Sequence, residues 1–204
     1  MSTKDTPFSK MPKPIHCGSK TINFDKPKIM GVLNLTPDSF FDGGKFNQEK
    51  HWIEQTAKML KEGADIIDLG AISTRPGAKM INTEDELDRV IEPLEILIGE
   101  FPDAIFSIDT FRAKVAAECI EIGAQMINDI SGGNFDEKMF ETIARYKVPY
   151  VLMHIHGTPQ DMQSEPIAEN AIRLIQDFFK EKISKLNALG VEDIILDPGF
   201  GFGK

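Results

Sequence analysis

Six short apolar runs punctuate this chain, and each stops at a polar residue. IMGVLN stops at Asn34, DIID at Asp68, IFSID at Asp109, MIND at Asn128 and Asp129, VPYVLMH at His154, and DIILD at Asp197. Amphipathic stretches lie between them, and three close on a glycine just before the next run: Gly63, Gly123 and Gly190. An uninterrupted apolar run belongs to a strand buried on both faces, and a glycine after a helix supplies its left-handed cap. The repeat predicts parallel β/α units whose strands all end on one rim. In α/β folds that rim is where ligands bind.

The spacing predicts a small hairpin over 15–25. Strands follow from Ile29 and over 64–69, 105–109, 125–129, 149–153 and 193–197. Helices are expected over 48–62, 83–99, 111–122, 136–146 and 167–188, the second opening with a capping, dipole-matched Asn82-Thr83-Glu84-Asp85-Glu86. Residues 1–14, polar and rich in Lys and Pro, read as a disordered tail ahead of one domain over 15–204. Six such units do not close a barrel, and an eightfold barrel takes about 250 residues. The expected fold is therefore α/β, a TIM (β/α)8 barrel truncated after its sixth strand and lacking the last two β/α units. A complete open sheet of six strands is the alternative.

Composition narrows the function. A 41% hydrophobic, 27% charged chain is an ordinary globular one. A net charge of −9 with no basic stripe argues against nucleic acid as a partner. No apolar run has the length of a membrane span, and residues 1–14 lack the apolar core of a secretory signal. Cys17 and Cys119 form no CxxC pair, and Cys119 sits in an amphipathic helix pattern as a buried thiol, so a reduced, cytoplasmic setting is expected.

The rim carries the candidate chemistry. The segment after the first strand, Asn34 to Gly44, is longer than a turn requires and holds two aromatics and two carboxylates, Asp38 and Asp42. Ser73-Thr74-Arg75-Pro76-Gly77 offers hydroxyls and a guanidinium suited to a phosphate or carboxylate, or else a plain solvated turn. Asp109, Asn128 and Asp197 end three strands; each alone fits a helix cap. Together with Asn34 and Asp68 they suggest a ligand with several N–H donors, such as a heterocycle bearing an amino group beside a ring N–H. Gly199 to Lys204 lacks the spacing of a phosphate loop; its glycines suggest close backbone approach to a flat ligand. His154 and His156, taken to share one strand face, would need carboxylates from other strands to hold zinc.

In order, MGVLNLTPDSFFDGG, DLGAISTRPGA, SIDT, INDISGG, LMHIHGTPQDMQ and DPGFGFGK closely resemble the successive motifs of the dihydropteroate synthase family. The resemblance covers nearly everything after residue 14. It implies condensation of 6-hydroxymethyl-7,8-dihydropterin diphosphate with 4-aminobenzoate to 7,8-dihydropteroate in folate biosynthesis, by a Mg²⁺-dependent, sulfonamide-sensitive transferase that is a homodimer when full length. It places Asn34 on Mg²⁺ and the diphosphate, and Thr74 and Arg75 at the diphosphate end. Asp109, Asn128 and Asp197 fall on the pterin, and Phe40 and Pro76 in the 4-aminobenzoate pocket. Asp38 and Asp42 would close over the reacting centre, making them catalytic with Arg75; Met153 and Phe202 join the substrate-binding set. Two departures stand out. Ile72 replaces a usual Glu, and the family's Ser-Arg-Lys and Arg-x-His segments of strands seven and eight are absent. The readings left beside a synthase are a pterin-binding methyltransferase-type module and an inactive barrel fragment.

Overall fold

The computed structural model describes residues 12–35, 45–72, 80–164, 166, 167 and 169–204. A short antiparallel hairpin, β1 (Ile15–Cys17) and β2 (Lys20–Ile22), comes first. The repeat then runs β3 (Met30–Asn34), α1 (Lys45–Lys61), β4 (Ile66–Gly70), α2 (Thr83–Glu100), β5 (Phe106–Asp109) and α3 (Ala113–Ile122). It continues β6 (Met126–Asp129), α4 (Met139–Tyr146), β7 (Tyr150–Met153), α5 (Ala171–Ala188) and β8 (Ile194–Asp197). The six later strands form one parallel sheet in chain order, β3-β4-β5-β6-β7-β8.

The expected glycines do end their helices. Gly63, Gly123 and Gly190 have φ of 104°, 133° and 82°, and the Gly123 N–H donates to the carbonyls of Cys119 and Ile120. α4 ends instead on a non-glycine: Lys147, with φ 55° and ψ 40°, takes the left-handed cap. At the other end of α2, Asn82 accepts from the Asp85 N–H at 2.8 Å, as its capping sequence predicts.

Three helices start later than the periodicity suggests, and in two a residue expected inside the helix makes polar contacts outside it. Asp136 is drawn out of α4 because its carboxylate accepts from the N–H groups of Ala113 and Lys138. Ile167, before the start of α5, is tied to the loop after β8, its N–H donating to the Gly203 carbonyl at 2.9 Å. The third, α3, opens at Ala113 after Arg112 in an extended conformation. Of the expected tail, residues 1–11 lie outside the described residues, and 12–14 are exposed coil.

Strand alternation divides the apolar residues into layers. One set, including Leu33, Ile67, Leu69, Phe106, Ile108, Ile127, Tyr150 and Leu152, packs outward against the helices. The opposite face buries Ile66, Ile105, Met126 and Val151, flanked by Met30 and Ile195, against Ile15, Cys17 and Ile22 of the hairpin. A flat six-stranded sheet would hold its outer strands roughly 24 Å apart. Residues from all six converge on one three-residue-wide hairpin, so the sheet curls round an interior, as a TIM barrel does. The hairpin plugs the N-terminal end of that interior. Lys20 Nζ fastens it to the carbonyls of Pro102 and Ala104 at 2.8 and 2.6 Å, and the His16 N–H to Asp193 Oδ2 at 3.1 Å.

The sheet is open between β8 and β3 among the described residues. β4 and β7 are buried throughout, whereas Val32 on β3 is 56% exposed and Leu196 on β8 is 44% exposed. Both cysteines are buried free thiols, as the pattern around Cys119 suggests, and burial pushes Cys17 up to about 11 and Cys119 up to about 12.

Candidate active site

The parallel register brings the rim residues together. Asn34 pairs with Gly70, Gly70 with Asp109, and Asp109 with Asn128, one residue from each of four consecutive strands. All four share the inward parity of Ile66 and Met126, two or four residues below them. The same row continues through Val151 to Ile195, and Met153 and Asp197 pair one inward position higher. An amide, a gap, a carboxylate and a second amide thus line the upper interior, with the Asp197 carboxylate closing the arc. Gly70 is that gap. A Cβ there would lie 3.6 Å from Asp109 Oδ2 and 3.7 Å from Asn34 Oδ1, so any side chain would occupy the space between them.

Among the described residues, neither Asp109 nor Asn128 caps the helix that follows its strand. α3 has Arg112 at its N-cap with no side-chain cap bond. Asn128 Nδ2 donates 2.9 Å downward to Asp68 Oδ2, inside the barrel. Asp197 Oδ1 accepts from the Gly199 N–H at 2.8 Å, which shapes its own loop. The neighbouring Asp129 has the opposite parity and a structural task. It is fully buried and accepts from the N–H groups of Ser131 and Gly133 and from the Tyr150 hydroxyl.

Burial dominates the electrostatics. It holds the Asp68 carboxyl above the usual carboxylate range, offset in part by the nearby Ser107 hydroxyl and the Asn128 amide. Asp109 lies well above that range, first through burial and then through the neighbouring carboxylates of Asp68, Asp129 and Glu86. The site therefore gathers carboxyl groups whose ionisation burial disfavours and a ligand rich in N–H donors would favour.

Behind Asp109 stands a contact that the sequence conceals. Glu86, read there as a first-turn acid, is 1% exposed. It accepts from Thr110 Oγ1 at 2.6 Å and pairs with Arg112, whose guanidinium also donates to the Ile81 carbonyl. This buried pair ties the segment after β5 to the residues entering α2. Above the row, Met153, Ile72, Phe111, Ile130, Ile155 and Met162 form an apolar cluster with Phe202 packed against it. Ile72 is 6% exposed within it.

The glycine-rich segment after β8 corrects its own reading. A Cβ on Gly199 would come 2.2 Å from the His154 carbonyl oxygen, and one on Gly203 would come 2.6 Å from that of His156. The close approach these two glycines allow is therefore to the loop after β7, and Gly201 has nothing within 4 Å. Lys204 Nζ donates to the carbonyls of His154, Gly199 and Phe202 at 2.8, 2.7 and 2.9 Å, so it fastens the loop. The two histidines do not share a strand face, since β7 ends at Met153. His154 is buried edge-on to Phe178, whereas His156 is exposed. Among the described residues no three His, Cys, Asp or Glu side chains are grouped to hold a metal.

Of the expected site residues, Asn34, Asp109, Asn128, Met153, Asp197 and Phe202 all lie at this end of the interior. Asp38, Phe40, Asp42, Thr74, Arg75 and Pro76 lie outside the described residues. Asp68, grouped with these strand ends in the sequence, joins them here, and Gly70, Ser107 and Glu86 are additions to the set. Strand parity would have singled out Ser107, two residues below Asp109 and on the same face.

Residues 30–204 match the family model described as pterin binding enzyme. The dihydropteroate synthase of Synechocystis is 43% identical over 196 residues, covering 95% of this chain and 68% of that protein. The Yersinia pestis dihydropteroate synthase, solved as a complex with a sulfonamide drug, superposes with a TM-score of 0.85 at 39% identity, covering 94% of this chain and 70% of the other. The Xanthomonas albilineans dihydropteroate synthase with 4-aminobenzoic acid also gives 0.85, at 34% identity, covering 96% and 69%. The chain thus spans about two thirds of the length of these relatives.

Proposed function

Because the chain belongs to the pterin-binding enzyme family, on the side of its dihydropteroate synthases, we propose that it carries the pterin site of such a synthase. The reaction would couple 6-hydroxymethyl-7,8-dihydropterin diphosphate to 4-aminobenzoate. The observation that carries this reading is the inward row Asn34-Gly70-Asp109-Asn128 with Asp197 above it. Carboxylates and an amide facing a confined interior match a flat ring whose edge offers an amino group and an N–H.

In the proposed reaction the bond between the pterin methylene and the diphosphate oxygen breaks, and the departing electrons stay on the diphosphate. The arylamine nitrogen then bonds to the methylene carbon and loses a proton. Asp109, Asn128 and Asp197 hold and orient the ring, and the carboxylates favour positive charge as it develops beside them. The cluster around Met153 and Phe202 keeps water from the ring face. Thr74 and Arg75 are proposed to engage the diphosphate, Phe40 and Pro76 the arylamine, and Asp38 and Asp42 to close over the centre.

Mg²⁺ fits this donor set. The ion commonly takes one or two protein oxygens and fills its octahedron with water and substrate phosphate. Asn34 offers one such oxygen, at the exposed end of β3 and beside the open space over Gly70. Bound there, Mg²⁺ would neutralise charge on the leaving diphosphate. A homodimer in a cytoplasmic setting belongs to the same proposal; sedimentation and cell fractionation test both.

The reading is tested by assaying diphosphate-dependent coupling of the pterin to 4-aminobenzoate and by titrating pterin calorimetrically. Saturable pterin binding is expected. Arg75→Ala should weaken the diphosphate ligand while sparing pterin itself. A protein that binds no pterin would reject the reading.

A further inference from the structure

We propose that Asp68 is a positioning residue for ring recognition, fixing which edge of the Asn128 amide meets the ligand. The assignment rests on the pterin-site reading above. An asparagine amide has two unlike edges, a carbonyl that only accepts and an NH₂ that only donates. Asn128 stands in the inward row beside Asp109, and the Asp68 carboxylate lies beneath it, 2.9 Å from Nδ2. When ionised, Asp68 accepts only, so the flipped amide would set two acceptors against each other. The NH₂ edge is therefore held down, leaving Oδ1 and the second N–H for a ligand.

The state of Asp68 itself supports this role. It is 2% exposed, and its Oδ1 has no hydrogen-bond partner, nor does Oγ of Ser107, its register neighbour on β5. A buried carboxylate satisfied on one oxygen only costs the fold more than an apolar residue of similar size. Asp129, also a buried acid, illustrates the contrast, with three donors bonded to it. Asp68 has one bonded donor, Asn128, which is a site residue, with the Ser107 hydroxyl nearby but not in bonding geometry. Gly70, the next inward position on the same strand, has no side chain to take over the contact.

A double-mutant cycle read by calorimetry with pterin tests the assignment. Asp68→Asn is isosteric, and it can donate or accept toward Asn128, so the preference for one amide orientation disappears. Its melting temperature should equal or exceed that of the parent protein. Pterin affinity should fall roughly tenfold, the scale of one hydrogen bond to a charged group. Asn128→Ala should lose at least as much, and the double variant should bind no more weakly than Asn128→Ala. Unchanged affinity in Asp68→Asn, or losses that add in the double variant, would overturn the proposal. Side-chain ¹⁵N NMR of the ligand-free protein provides an arm independent of ring binding. One Asn128 amide proton should be protected from exchange in the parent and released in Asp68→Asn; identical spectra would overturn the proposal. Absence of pterin binding in the parent, with that protection present, would reject the pterin reading and leave the Asp68–Asn128 assignment standing.

Discussion

The two ends of the barrel interior are built from the same strands yet solve opposite problems. At the N-terminal end, Ile66, Ile105, Met126 and Val151 meet the hairpin in an apolar plug. Four residues or fewer further along β4, β5 and β6, the interior turns to Asp68, Asp109 and Asn128, with Asn34 at the end of β3. There burial raises carboxyl groups, and polar atoms of Asp68 and Ser107 go unpartnered. Packing removes apolar area from water at one end, and the other holds polar groups in a state that packing alone does not favour. Stability and recognition are thus separated along the barrel axis by little more than one side-chain layer.

Substitutions at the two ends should therefore diverge. The largest effect is expected for Asp197→Ala, which should weaken pterin binding by about 2–5 kcal/mol, the cost of losing a desolvated charged contact. Calorimetry with pterin checks it, and near-parental affinity would remove Asp197 from the ring site. At the plug, Met126→Ala should lower unfolding free energy by about 2–4 kcal/mol through the cavity it leaves under the hairpin. Pterin affinity, measured below the melting range, should stay near that of the parent. Denaturant titration combined with calorimetry would separate the two effects.

A third variant should move stability and binding in opposite directions. Asp109→Asn removes a buried acid, so the ligand-free protein should gain about 1 kcal/mol near neutral pH while losing ring affinity. The pH dependence follows from the same group. Its folded pKa lies above the unfolded value of about 3.9, so its contribution is fully present below that pH. The contribution is then lost as pH rises through the folded pKa. Melting temperature followed upward from pH 4 should accordingly fall less in Asp109→Asn than in the parent, whereas ring affinity in the parent should rise as the carboxylate forms. An equal slope in both proteins would show that Asp109 is not the titrating group.

The smallest change belongs to the plugged end. Lys147→Gly should relieve the left-handed cap of α4 and stabilise the fold by about 0.5–1 kcal/mol, without altering binding. Thermal unfolding would resolve it.

Much of this division could be read from the chain, because it rests on local rules. Continuous apolar runs, glycine caps and the Asn82 cap fixed the order of the elements, and polar residues at strand ends marked the rim. What stayed hidden depends on parity and on distant partners. Asn128 and Asp129 are adjacent and chemically similar, yet one faces the interior and the other a turn, which only the register decides. Glu86 satisfied a first-turn preference so well that nothing signalled its burial against Arg112. The glycines around Phe200 and Phe202 suggested a ligand, and two of them accommodate the loop after β7 instead. Lys204 ends a segment without phosphate-loop spacing, and its ammonium is occupied by three backbone carbonyls.

The hairpin plug also constrains the order in which the molecule assembles. Its residues precede every strand of the sheet, yet Ile15, Cys17 and Ile22 pack against side chains from Ile66 to Ile195, and His16 bonds to Asp193, 177 positions away. Contacts of such long separation form late, because the loop they close is costly until intervening structure shortens it. During synthesis the seat of the hairpin is therefore complete only once β8 has left the ribosome. A hairpin made before the strands it packs against is thus among the last parts to be fully seated, which exposes the nascent chain to mispairing during its elongation.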